Sequence, residues 1–243
     1  MPVRVAVGYG AVWVTSFKRN QVVRIDETSG KFTDHVAVGR GAEGVTAAFA
    51  AMWVVAQDDG RLVRVSPQTR SATKRIDVGV GVRLVVAGPD ALWLNDYPAG
   101  KIVRVNPRNG SVHRSARVCS GPQDVVATAT QIWVTCSVGN ELVVLDPRTM
   151  QVVGRHPLGG TPDAIASGPA GTLLVVLQEG PALVSVDPKT GRVTRTVRLG
   201  TGPQLYDRAN LDLAVSGDKA WVSSFLENVV HRVMAAPRPG RPG

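Results

Sequence analysis

Glu43, Arg83, Gln123 and Asp163 follow one another at intervals of 40 residues along a chain of 243. Two carboxylates, a guanidinium and a carboxamide at one spacing can grip a polar ligand through charge and hydrogen bonds, and the carboxylates could also take a divalent metal. Val3 holds the first place in the series, so the set reads as a mixed ring. A second set, Gln204, Tyr206, Asp207 and Arg208, sits inside "TGPQLYDRAN" from Thr201 to Asn210 and adds an aromatic face to the same chemistry. These residues are the expected ligand-binding positions. No catalytic set stands out: the chain has no P-loop, no G-x-S-x-G, no paired-Cys metal spacing and no RNA-binding aromatic signature.

The elements that must position them are legible from a tryptophan beat. Trp13, Trp53, Trp93, Trp133 and Trp221, with Leu174 keeping time in "TLLVV", are separated by 40, 40, 40, 41 and 47 residues. A period near 40 marks a repeat whose unit is one supersecondary element. Each unit reads as a Gly/Pro-rich turn, strand A, a short turn, strand B with the tryptophan, a polar loop, strand C, a turn and strand D. In the fourth unit these are "QDVVA" from Gln123, "IWVTC" from Ile132, "LVVLD" from Leu142, and a last strand starting near Gln151, all short and rich in β-branched residues. Thirteen residues after each beat come Asp26, Ser66, Asn106, Asp146 and Asp187, and then Met234; the first five open tight turns such as "DPKTG".

Six such units predict an all-β fold, a six-bladed β-propeller of four-stranded antiparallel blades; a β-solenoid would need shorter coils. The blades fall near 2–38, 42–78, 82–118, 122–158, 162–199 and 203–233, forming one domain over 2–233. The tryptophans are expected to pack between neighbouring blades, each burying roughly 150 to 250 Å². Strand D of the sixth blade is missing, and 234–243 reads as a disordered Pro/Arg/Gly tail. A strand upstream of Met1 would complete that blade, and the chain is therefore expected to be an excerpt or to carry a late start.

Ligands of such a fold sit over the central channel, on the face of the D-to-A and B-to-C connections. The B-to-C loops contribute Phe17, Lys18, Arg19, Asp58, Asp59, Asn95, Asp96, Tyr97, Glu179, Phe225 and Glu227. Asp58, Asp59 and Asp96 could hold calcium with backbone carbonyls, but they lack EF-hand spacing and read as solvated loop residues. The insertion at 201–210 is the largest break in the repeat, and loops that depart from a rigid repeat are where function concentrates.

Composition sets the outer bounds. With 44% hydrophobic and 19% charged residues, the chain suits one closed all-β domain, expected to be monomeric. Val45 to Ala56, the longest apolar stretch, is about half of a membrane span, so no span is expected. Met1-Pro2-Val3 opens directly on a strand-like segment, so no signal peptide is expected within this chain, and if the protein is exported the signal is expected upstream of it. The net charge of +9 would suit a polyanion, yet the basic residues are scattered over the last strands, at Lys31, Lys74, Arg75, Arg114, Arg117, Arg155, Arg192, Arg195 and Arg198. Charge on an outer strand guards its open edge, which is the expected role, and nucleic acid is not an expected partner. "GRGAEG" at Gly39 to Gly44 fits a dinucleotide fingerprint only in letters, because a strand follows where a helix is needed. Cys119 and Cys136 can reach each other as a disulfide or stand as two free thiols. "NGS" at Asn109 is a lone sequon.

"GAVWVTSFKRNQVVRIDETSGKFTDHVAVG", from Gly10 to Gly39, resembles the bacterial YVTN and NHL-like propeller repeats, a group that includes virginiamycin B lyase. The resemblance extends from Pro2 to about Val233. It implies a propeller that is periplasmic, extracellular or membrane-anchored and binds a small polar ligand or a protein partner, as sensor or scaffold. For the lyase it implies histidines and glutamates around a divalent metal in the funnel. Here His35, His113 and His156 fall on strand D and His231 on strand C, outer positions that do not converge on a funnel. The expectation is a non-catalytic binding propeller without a required cofactor; a metal-dependent lyase of that type, or a hydrolase, is the alternative.

Overall fold

The computed structural model describes residues 1–200, 202, 211–224 and 226–235. Two compact units divide the chain, Met1–Val118 with Ala127–Ala129, and Cys119–Val126 with Thr130–Gly243. Alternating β-branched runs punctuated by Gly-, Asn- and Asp-rich turns leave the backbone one economical solution, the antiparallel meander, and every sheet adopts it.

In the first unit, β1 (Pro2–Val7), β2 (Ala11–Ser16), β3 (Gln21–Asp26) and β4 (Phe32–Ala37) make one four-stranded sheet. A second comprises β5 (Ala42–Ala48), β6 (Ala51–Ala56), β7 (Arg61–Ser66) and β8 (Ser71–Asp77), and a third β9 (Val82–Ala87), β10 (Leu92–Asp96), β11 (Lys101–Val105) and β12 (Val112–Arg114). The second unit continues with β13 (Pro122–Ala127), β14 (Ile132–Cys136), β15 (Glu141–Leu145) and β16 (Val152–Pro157), then β17 (Pro162–Ser167), β18 (Leu173–Leu177), β19 (Ala182–Val186) and β20 (Val193–Arg198). Its last sheet has three strands among the described residues, β21 (Leu213–Ser216), β22 (Lys219–Ser224) and β23 (Val229–Met234). Six sheets of this order are the blades of an all-β, six-bladed β-propeller fold.

Within each unit the core lies between successive sheets. Trp13 packs with Met52 and Val54 of the next sheet, Trp53 with Val85 and Leu94, and Trp133 with Ile165 and Val175. Leu174 does the same against Leu213 and Val222. Each buried indole contributes roughly 4 to 6 kcal/mol of gross hydrophobic stabilisation. Trp221 departs from the expectation: it is 38% exposed. Among the described residues no later sheet follows it in the second unit, and Arg232, directly opposite on β23, lies 5.8 Å over its ring.

The same arginine placement recurs eleven residues after other tryptophans. Arg24 faces Trp13 and Arg104 faces Trp93 in register, each with its guanidinium within 6 Å of the ring centre, at 5.9 and 5.7 Å.

The C-to-D turns are closed by their first side chain. Asp26 accepts from the N–H groups of Thr28 and Ser29, Asp146 from Arg148 and Thr149, Asn106 from Arg108 and Asn109, and Ser66 from Thr69. The Ser29, Thr149 and Lys189 N–H groups hold the carboxyls of Asp26, Asp146 and Asp187 below the usual aspartate range, because they bond only to the charged form well.

Candidate functional site

Glu43, Arg83, Gln123 and Asp163 stand on the first strands of four sheets, β5, β9, β13 and β17, and in β5 and β17 a bulge lies beside them. Register slips by one step between Ala42 and Val45 in β5 and between Pro162 and Ile165 in β17, so two consecutive residues face one partner residue. In the first, third, fourth and sixth sheets a polar side chain two places after the tryptophan beat accepts from a main-chain N–H in strand A or just before it, whereas β6 and β18 hold Val55 and Val176 there. Thr15 accepts from the N–H of Arg4, Asn95 from Leu84, Thr135 from Asp124 and Ser223 from Asp212. Sequence reasoning passed over these residues, although their fixed offset from the beat was a usable signal.

In the first unit, the bulge of β5 buries Glu43 to 3% exposure and turns its carboxylate onto Arg83 of β9. Oε1 accepts from Nε at 3.2 Å and from Nη2 at 2.9 Å. Arg83 keeps 22% of its side chain exposed and lies 5.7 Å over the ring of Tyr97. The strands meet closely: a Cβ on Gly44 would stand 2.7 Å from the main-chain oxygen of Arg83 and 2.8 Å from the Leu84 Cα. Opposite charges one repeat apart have thus become a fork-shaped pair, one side buried and the other open to solvent.

In the second unit the corresponding places hold Gln123 and Asp163, both buried. Asp163 is 1% exposed; its Oδ1 accepts from Gln123 Nε2 at 3.0 Å, and its Oδ2 from Gln178 Nε2 at 2.9 Å and the Leu211 N–H at 3.0 Å. Gln178, just beyond β18, was not anticipated from the sequence. A carboxylate so fully bonded is a structural anchor first. Gln204, Tyr206, Asp207 and Arg208, together with Phe225, lie outside the described residues.

The acidic B-to-C loops turn inward to their own surroundings. Asp59 accepts from the Arg40 N–H at 2.8 Å and from Arg40 Nε at 2.7 Å, which holds its carboxyl low, and Asp96 accepts from the Ala99 N–H. Among the described residues no three His, Cys, Asp or Glu side chains gather as a metal site. His35, His113 and His156 stand on β4, β12 and β16, and His231 on β23, where it meets Glu227 at 2.8 Å. His156 tilts against Trp133, ring centres 5.9 Å apart. Cys119 and Cys136 are joined as a disulfide. No helix among the described residues is long and apolar enough to cross a membrane.

The class to which these blades belong is the six-bladed β-propeller, and solved structures carry that further. No family model matches the sequence, and no curated protein matches it. The chain superposes on hydrazine synthase of Kuenenia stuttgartiensis with a TM-score of 0.79 at 16% identity, over 97% of this chain and 84% of that one. A functionally unknown protein from Desulfotomaculum acetoxidans gives 0.77 at 13%, over 96% and 82%. Virginiamycin B lyase from Staphylococcus aureus gives 0.73 at 15%, over 96% and 84%. The fold is therefore that of the virginiamycin B lyase-like propellers, in keeping with the YVTN and NHL-like resemblance of the repeat.

Proposed function

We propose that this protein is a non-catalytic β-propeller that binds a small polar ligand or a protein partner through the face carrying Glu43, Arg83 and Tyr97, as the sensor or scaffold module of an exported bacterial protein. The observation that supports this most is the state of Arg83. Glu43 engages Nε and Nη2, Tyr97 flanks the guanidinium plane, and the side chain is still 22% exposed. A guanidinium held rigid by a buried carboxylate loses little conformational freedom on binding, which favours recognition of a carboxylate or carbonyl. Nothing about that pair supplies a nucleophile or a general base, since the carboxylate is already committed to the arginine.

The second reading, a metal-dependent lyase or a hydrolase, draws on the likeness of fold to virginiamycin B lyase. Incubating the protein with virginiamycin B and a divalent metal, and following the depsipeptide by mass spectrometry, separates the two. An intact ring supports the binding reading, and an opened ring lost in Glu43→Ala and Asp163→Ala overturns it. Affinity selection from a bacterial metabolite extract tests the binding face. Ligands retained by the native protein and lost in Arg83→Gln are expected, and equal retention by both would place binding elsewhere.

A further inference from the structure

Strands β7 and β8, the β5–β6 turn and the β11–β12 turn, all in the first unit, border an open cleft of about 560 Å³ lined by Phe49, Arg64, Thr73, Lys74, Pro107 and Arg108. That is within the size range of small-molecule sites. Its charge is unusual for this protein. In the first sheet the outer pair is Arg24 opposite Asp34, opposite charges in register. In the second sheet the same two places hold Arg64 opposite Lys74, like charges in register. Like charges directly across a sheet destabilise it, so the substitution of a lysine for an acid at this place works against the fold.

The surroundings keep the cations in place rather than neutralising them. Arg64 is fixed by Nη1 donating to Thr73 Oγ1 at 2.9 Å and by Nη2 donating to the Ala50 carbonyl at 3.4 Å, both neutral acceptors. Lys74 extends over the turn that follows β11, where Gly110 makes room: a Cβ there would lie 2.7 Å from Nζ. Arg108, exposed in that same turn, adds a third cation. The carboxylate of the adjoining recess, Asp90, is bound to Arg104 at 2.8 Å. Phe49 stands at the cleft with an exposed ring, in a left-handed backbone conformation, φ +51°.

We propose that this cleft is a binding site for an organic phosphate ester, with the phosphate received by Arg64, Lys74 and Arg108 and a flat apolar group laid on Phe49. Three cations call for a multiply charged anion with several acceptor oxygens, which a phosphate supplies and a single carboxylate does not. The site is separate from the Glu43–Arg83 pair and stands or falls independently of the function proposed for it.

Isothermal titration with phenyl phosphate, inorganic phosphate and a glycerol phosphate oligomer tests the assignment. Phenyl phosphate should bind saturably, and Lys74→Gln/Arg108→Gln should weaken it by ~10-fold or more, the size expected for lost charge-assisted hydrogen bonds. Phe49→Ala should bring phenyl phosphate down to the affinity of inorganic phosphate. Tighter binding of the oligomer with the same dependence on Lys74 and Arg108 would assign the phosphate to a polymer, and a preference for phenyl phosphate to a free ester. Absence of saturable binding by all three probes overturns the proposal. So does an equal loss in Arg19→Gln/Arg148→Gln, which removes the same charge elsewhere.

Discussion

Thr135 on β14 donates from Oγ1 to the main-chain oxygen of Asp163 on β17 across 2.6 Å. The same hydroxyl accepts from the Asp124 N–H at 3.0 Å, so one side chain bonds strand β13 of its own sheet and ties that sheet to the next. Thr15 repeats the arrangement, donating to the Glu43 carbonyl at 2.7 Å. Val55 and Val176 fill the same place in β6 and β18, so a valine fits there. Thr135→Val keeps the shape and leaves a buried N–H and a buried carbonyl unmatched, and should cost about 1 to 3 kcal/mol in urea unfolding. An unchanged midpoint would mean that the link carries no stability.

Asp26, Asp146 and Asp187 have carboxyls held below the usual value by turn N–H groups. A depressed folded-state value gives stability that is present above the unfolded value, near about 4, and is lost as pH falls through the lower folded value. Asn106 makes the same turn bonds with a neutral oxygen, so Asp26→Asn/Asp146→Asn/Asp187→Asn should keep the fold. The triple variant should match the native protein's melting temperature less closely at pH 7 than at pH 2 to 3, with a shallower decline between them. Parallel melting curves across that range would refute the link.

Gly44 is a steric requirement with no backbone strain behind it. Any Cβ would press on the main chain of Arg83, Leu84 and Val85, which cannot swing aside as a side chain can. Gly44→Ala should therefore lower stability by about 1 to 3 kcal/mol and weaken the Glu43–Arg83 pair by pushing β5 from β9. Calorimetry reads the first effect.

The Cys119–Cys136 bridge spans 17 residues, for which chain-entropy reasoning gives about 3 kcal/mol. Cys119→Ser/Cys136→Ser should melt earlier than the native protein without reductant. Adding reductant should bring the native protein toward the variant and leave the variant unmoved.

Blade boundaries were legible because tryptophan spacing and turn chemistry are local. Strand β14 runs over Ile132–Cys136 as read, and its neighbours β13 and β15 start one residue earlier than read, at Pro122 and Glu141. What lay beyond reach was contact between repeats. Residues 40 apart in sequence share a place in their blades, but sharing a place did not announce that Glu43 would grasp Arg83 or that Gln123 would serve Asp163. Opposite charge at consecutive places was the missed clue. Trp221 escaped for a related reason: the beat fixes which residue faces sideways, while its exposure depends on what lies across from it. The like-charged Arg64–Lys74 pair needed strand register, which follows from the tryptophan offset only once the hairpins are known.

Trp13, Trp53, Trp93 and Trp133 are sealed from solvent while Trp221 stands partly in it, and this gives the protein an optical reporter of its own. A neutral quencher such as acrylamide should reach the indole of β22 first, and its loss should shift the remaining emission to the blue. Fluorescence can then follow the three-stranded sheet separately from the other five, without a label.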